Sequence, residues 1–171
     1  QLATEWKLEP DGKSFRFKLQ KGVPFHNGVG EFTAKDVRFT WEAMRAETEV
    51  IPPQVLTMRQ QMQDVEIVND YEAVIRLDKP DAGFLSAIGQ AENVFAMLSR
   101  ADNDSRSRPP TMQDKPWAGT GPYRFTAREQ GGFVRYELAP GTHWRKTAEF
   151  PEFEWRFQRE PSTMLASLLA G

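Results

Sequence analysis

Residues 23–44, VPFHNGVGEFTAKDVRFTWEAM, hold the densest set of groups able to do chemistry: His26, Glu31 and Asp36. An imidazole and two carboxylates could form a metal-ligand set or an acid–base pair. The spacing argues against both. His26 has no second histidine at helical or hairpin distance, and the other one, His143 in GTHWRK, is remote in sequence. Cysteine is absent, which removes thiolate ligands, disulfides and cysteine nucleophiles together. There is no GxSxG nucleophile elbow, and GTGPY at 119–123 lacks the serine. The same GTGP is not followed by the Lys-Ser/Thr of a phosphate-binding loop. We therefore expect no catalytic residue, no metal site and no cofactor.

The polar residues of this stretch have backbone work to do instead. Thr33 precedes a helical pattern and can cap it, with Asp36 three residues on placed to answer the cap amide. Phe32 and Val37 flank the cap at hydrophobic-staple spacing. Asp36 also gains from the helix dipole. Asn27-Gly28 is a turn pair, because both residues tolerate positive φ. His26 is then a hydrogen-bonded turn residue.

The spacing of apolar residues gives the elements that carry these groups. Alternation in SFRFKLQ sets Phe15, Phe17 and Leu19 against Arg16 and Lys18. DVEIVND and EAVIRLD form a second strand pair about Asn69-Asp70, with Ile75 and Leu77 on one face. FVRYELA sets Val134, Tyr136 and Leu138 against Arg135 and Glu137, and FEWRFQR does the same with Phe153, Trp155 and Phe157. One wet and one dry face per strand indicates mostly antiparallel pairing. Val37, Trp41 and Met44 predict a helix over about Ala34 to Ala46. A shorter helix is expected over Ala82 to Ile88, and a third from near Pro161 with Met164, Leu165, Leu168 and Leu169. Residues 101–116, ADNDSRSRPPTMQDKP, are polar and aperiodic and read as a loop. The class is α+β, a largely antiparallel mixed sheet with a few helices.

The chain has 171 residues, 39% hydrophobic, with 12 Phe and 5 Trp and a net charge of −2. A chain of this length can bury a core of roughly 68–70% of its unfolded surface. No basic excess points to nucleic acid. No run approaches the roughly 20 apolar residues of a membrane helix. The chain starts at Gln1 and stops within PSTMLASLLAG, so it reads as an excised piece of a longer protein.

The opening LATEWKLEPDGKSFRFKLQKGVPFHNGVGEFTAKDVRFTWEAM resembles the entry region of the family 5 extracellular solute-binding proteins. These are the oligopeptide-, dipeptide- and nickel-binding subunits of ABC importers. Lys21, Gly22, Phe25, His26, Gly28, Phe32, Thr33, Ala34, Asp36 and Val37 match the family pattern. YEAVIRLDKPDAGFLSAI, GTGPYRF and FEWRFQREPSTMLASLLAG follow in the family's order. Thr142-His143-Trp144 departs from its usual Asp-Tyr-Trp, and GVGEFTA is slightly longer than the common spacing.

The resemblance implies part of the N-terminal lobe of a two-lobed, type II periplasmic binding protein. About 10–115 would be the family's small extra domain, and about 116–171 strands and a helix leading back into lobe one. It implies capture of peptides or similar solutes outside the cytoplasmic membrane, periplasmic or extracellular, with a lipid anchor open. Importer membrane subunits would be the partners. The alternative is the solute-sensing domain of a cytoplasmic transcription regulator. The matched motif residues His26, Gly28, Thr33, Asp36, Gly119, Gly121 and Pro122 are scaffold. Ser99 and Arg100, the candidate ligand-binding residues, end the apolar run NVFAML like residues at a strand end entering a cleft, and Arg100 has the fork geometry for a ligand carboxylate. The apolar face of the last helix is expected to drive self-association of the piece or to fray.

Overall fold

Phe15, Phe17 and Leu19 are buried on one face of the strand Ser14–Leu19 (β2), as the alternation requires. A computed structural model describes residues 1–46, 53–89, 95–108, 115–145, 148–158 and 160–170. Ala3–Leu8 (β1) pairs with β2, and Met62–Asn69 (β3) forms a hairpin with Glu72–Leu77 (β4), turning at Asp70-Tyr71. The four make an antiparallel sheet in the order β1-β2-β4-β3. Its inner face carries Phe15, Phe17, Val65, Ile75 and Leu77. Val74 points the other way between Arg16 and Glu66, yet it too is buried. The central strand is therefore drier than a simple two-face pattern.

The helix Ala34–Arg45 (α1) lies against β3, with the Trp41 indole N–H donating to the Met62 carbonyl oxygen at 3.3 Å. Pro53–Gln61 (α2) packs beside it. Sequence reading missed α2 because it has no apolar stripe: Met58 is buried while Leu56 is exposed. Phe84–Gly89 (α3) starts two residues later than its pattern suggests and sets Phe84 against Phe15, ring centroids 5.3 Å apart. A fourth helix, Arg100–Asp104 (α4), takes up the first residues of the segment expected to be a loop. Residues 109–114 of that expected loop fall outside the described residues.

The chain divides into two compact units, Gln1–Pro109 with Trp117–Thr120, and Pro110–Pro116 with Gly121–Gly171. The second contains a meander of Tyr123–Glu129 (β5), Phe133–Leu138 (β6) and Glu152–Arg156 (β7), followed by the helix Pro161–Ala170 (α5). Register puts Tyr123, Phe125, Tyr136 and Phe153 on one face, where Tyr136 and Phe153 stack with centroids 4.8 Å apart. Arg124, Glu137, Arg135 and Glu154 pair across the strands on the other face. The expected dry face of β7 is not dry among the described residues: Trp155 is 69% exposed. Met164, Leu165, Leu168 and Leu169 on α5 are likewise exposed.

Candidate functional site

His26 heads a one-turn 3-10 helix, His26–Gly28, in which Asn27 and Gly28 have φ of 63° and 70°. Asn tolerates the left-handed region better than most residues, and Gly enters it freely. That is the turn chemistry the Asn-Gly pair announced. The turn leads through Phe32 to the reciprocal cap of α1, which Thr33 and Asp36 close as their spacing requires. The Thr33 amide donates to Asp36 Oδ2 at 2.8 Å, and the Lys35 amide also reaches the Thr33 hydroxyl oxygen at 3.3 Å.

Asp36 does more than cap. It is 4% exposed, and its second oxygen, Oδ1, accepts the Arg100 amide at 2.8 Å. One turn along α1, the buried Thr40 hydroxyl donates to the Asp36 carbonyl oxygen at 2.7 Å and accepts the Leu98 amide at 2.9 Å. A buried charge is tolerated only when its oxygens are occupied. Asp36 meets that condition by binding a segment remote in sequence.

Ser99 and Arg100 are thus not at a strand end: residues 95–98 form no strand, and Ser99 is the N-cap of α4. The Ser99 hydroxyl oxygen accepts the Asp102 amide at 3.1 Å, and Ser99 is 1% exposed. Ser99-Arg100-Ala101-Asp102 has cap spacing, the signal that could have revealed the helix in its polar surroundings. The Arg100 guanidinium, about half exposed, binds Asp104 through Nε at 2.9 and 3.0 Å and lies 3.8 Å from Glu42. It also sits over the Phe39 ring at 5.5 Å. The hydrogen bond from Arg100 holds the Asp104 carboxyl below its usual range.

Asp102 is the second buried carboxylate and was not singled out in the sequence. Its Oδ2 accepts from Arg106 Nη2 at 3.0 Å and from the Ala118 amide at 2.9 Å. Beside it the Trp117 ring meets Phe39 edge-on at 6.0 Å and Arg106 at 5.3 Å. The His26 amide donates to the Gly119 carbonyl oxygen at 2.8 Å, and a Cβ at Gly119 would touch the His26 ring at 3.5 Å. Two motifs read separately in the sequence meet here. In the second unit, the Ala139 amide donates to the Pro122 carbonyl oxygen at 2.8 Å, so Gly121-Pro122 leads directly into β5.

The other groups of the opening cluster are dispersed. Glu31 accepts from the Gly22 amide and, at 3.1 Å, from the Tyr71 hydroxyl, a bond that raises the Tyr71 pKa. His143 accepts the Arg145 amide at 3.3 Å in the second unit. Among the described residues no three His, Asp or Glu side chains are grouped to hold a metal. The first unit also has an apolar cavity of about 350 Å³, lined by Trp6, Phe17, Leu19, Phe32 and Phe95 among others. Among the described residues, none of its lining side chains is charged.

A family profile described as bacterial extracellular solute-binding proteins, family 5 Middle, matches residues 1–171. The chain belongs to that family. Heme-binding protein A of Haemophilus influenzae is 27% identical over 185 residues, covering 99% of this chain and 34% of its own length. The ABC transporter-associated periplasmic binding protein DppA of Helicobacter pylori, solved with the peptide STSA, superposes with a TM-score of 0.81 at 25% identity. That match covers 100% of this chain and 36% of DppA. NikZ of Campylobacter jejuni, solved with Ni(L-His), shares the fold with a TM-score of 0.82 at 24% identity, covering 100% of this chain and 33% of that one. The mixed helices and antiparallel sheets are those of the type II periplasmic-binding-protein fold. This family 5 chain spans about a third of the length of the curated relatives it matches.

Proposed function

We propose that this chain is part of a substrate-binding subunit of an ABC importer that captures peptides or similar solutes outside the cytoplasmic membrane. The observation that carries the reading is the family match along residues 1–171, with similarity to peptide-binding relatives. The site geometry agrees with it. The side chains of Thr33, Asp36, Thr40, Ser99 and Asp102 each hold backbone, as scaffold residues do. On this reading, which its solute-binding relatives support, the subunit is a non-enzymatic binding protein whose partners are the importer's membrane subunits. Retention at the membrane by a lipid anchor is a separate proposal, tested by labelling the whole protein with a radioactive fatty acid.

Within the chain, Arg100 is the group we propose to meet a ligand carboxylate. Its fork is half exposed, and its present partners, Asp104 and Glu42, are surface carboxylates that a ligand could replace. Ser99 enters that proposal as the residue that holds Arg100 at the start of α4. On its own the chain is proposed to self-associate through α5, where Leu168 and Leu169 are both 79% exposed. Mass spectrometry of small molecules co-purifying with the whole protein tests the main reading. Peptides released on denaturation are expected, and turnover of those peptides by the purified protein would overturn it.

A further inference from the structure

Trp117–Thr120 belong to the first unit although the chain on either side of them belongs to the second. These four residues form no helix or strand, so their backbone groups need partners from elsewhere. Ala118 is 2% exposed, so its amide is shut off from bulk water. The partner is Asp102 Oδ2 at 2.9 Å, a carboxylate itself only 5% exposed. One residue on, Gly119 offers its carbonyl oxygen to the His26 amide at 2.8 Å. Trp117 closes the other end against Phe39 and Arg106.

We infer that Asp102 latches this strip: its carboxylate holds the Ala118 amide and fixes where the chain leaves the first unit, and without it the strip opens as a local unit. Three facts carry the assignment. First, Asp102 is presented by α4, which is itself tied down by the Ser99 cap and by Asp36 on the Arg100 amide. Second, a buried amide bound to a carboxylate is a charge-assisted bond, stronger than a neutral one. Third, β2 and β4 are held by their own ladder and by the aromatic core, none of which runs through Asp102. Proteins open in such contiguous pieces when one piece depends on a few bonds and the rest does not. The latch does not depend on the solute-binding reading.

Residue-resolved amide exchange on the full chain tests it. In Asp102→Ala the Ala118 amide is expected to exchange roughly tenfold to a hundredfold faster, the range for losing a charged hydrogen bond. The amides of β2 and β4 should keep their rates. Asp102→Asn keeps shape and an acceptor oxygen without the charge, and should give a smaller acceleration confined to the same strip. If the alanine variant does not fold, the asparagine variant decides. An unchanged Ala118 rate overturns the latch, as does acceleration of Ala118 and the β2 and β4 amides by a common factor.

Discussion

The carboxylate of Asp36 joins two backbone amides 67 positions apart, that of Thr33 at 2.8 Å and that of Arg100 at 2.8 Å. A helix cap is here also a tertiary clamp. Removing the Thr33 hydroxyl loses only capping, so Thr33→Ala should cost about 0.5–2 kcal/mol. Asp36→Ala loses the cap partner and also the part-buried bond to the Arg100 amide, and should cost more, about 2–4 kcal/mol. Urea midpoints of the two variants give the order. Equal losses would show that the bond to Arg100 contributes nothing.

The His26 amide donates to the Gly119 carbonyl oxygen, a bond that an alanine at 26 keeps. His26→Ala should therefore lower stability only modestly, by about 1 kcal/mol. It should remove no metal. Stoichiometric zinc or nickel in the purified protein that disappears in His26→Ala would return the histidine to the role of a ligand.

Arg16 lies between Glu9 and Glu72, at 2.6 Å from each, and its hydrogen bonds hold both carboxyls below their ordinary range. A depressed folded-state pKa means stability that is present above the unfolded value, about 4.3 for glutamate, and lost as pH falls through the folded value. Urea midpoints should thus be level from neutral pH down to about 5 and fall below roughly 4.5. Arg16→Met should shrink that acid-side fall while leaving the plateau shape alone. A fall of unchanged depth in Arg16→Met would place its origin elsewhere.

Legibility followed the strength of the local signal. The strands around Phe17, Ile75 and Tyr136 and the cap at Thr33 were readable because side-chain period and capping chemistry act over a few residues. Helix α2 was not, since among its described residues only Met58 is fully buried and no apolar stripe runs along it. Helix α4 was hidden by its polar composition, although Ser99 and Asp102 carried cap spacing. Nothing local could announce that Asp36 would find Arg100, or Asp102 find Ala118. Those bonds span 64 and 16 residues and exist only because the sheet and α1 bring the segments together.

The exposed apolar groups of α5 give a prediction about association. Leu168 and Leu169 are each 79% exposed, with Met164 and Leu165 above half. A contiguous apolar face in water favours self-association. Sedimentation velocity of this chain should show a concentration-dependent dimer that Leu168→Glu with Leu169→Glu abolishes. A monomer at all concentrations would refute the proposal.

The last prediction concerns binding by this chain alone. A solute enclosed within a binding protein draws contacts from all the walls of its site, and closure excludes water from the polar ones. This chain spans about a third of the length of its relatives, and Arg100 is the single contact proposed within it. An intact protein binding at about 1 μM has roughly −8 kcal/mol to distribute. A single wall would keep part of those contacts while opposing much of the same loss of ligand freedom. Losing even about 4 kcal/mol would weaken binding roughly a thousandfold, into the millimolar range. Isothermal titration with the dipeptide Ala-Phe, or with whatever solute co-purifies with the whole protein, makes the comparison directly. In the whole protein, Arg100→Ala should weaken binding by roughly tenfold or more. Micromolar binding by the 171-residue chain itself would mean that the site lies within it. The motif residues assigned to scaffold would then have to be read again as ligand contacts.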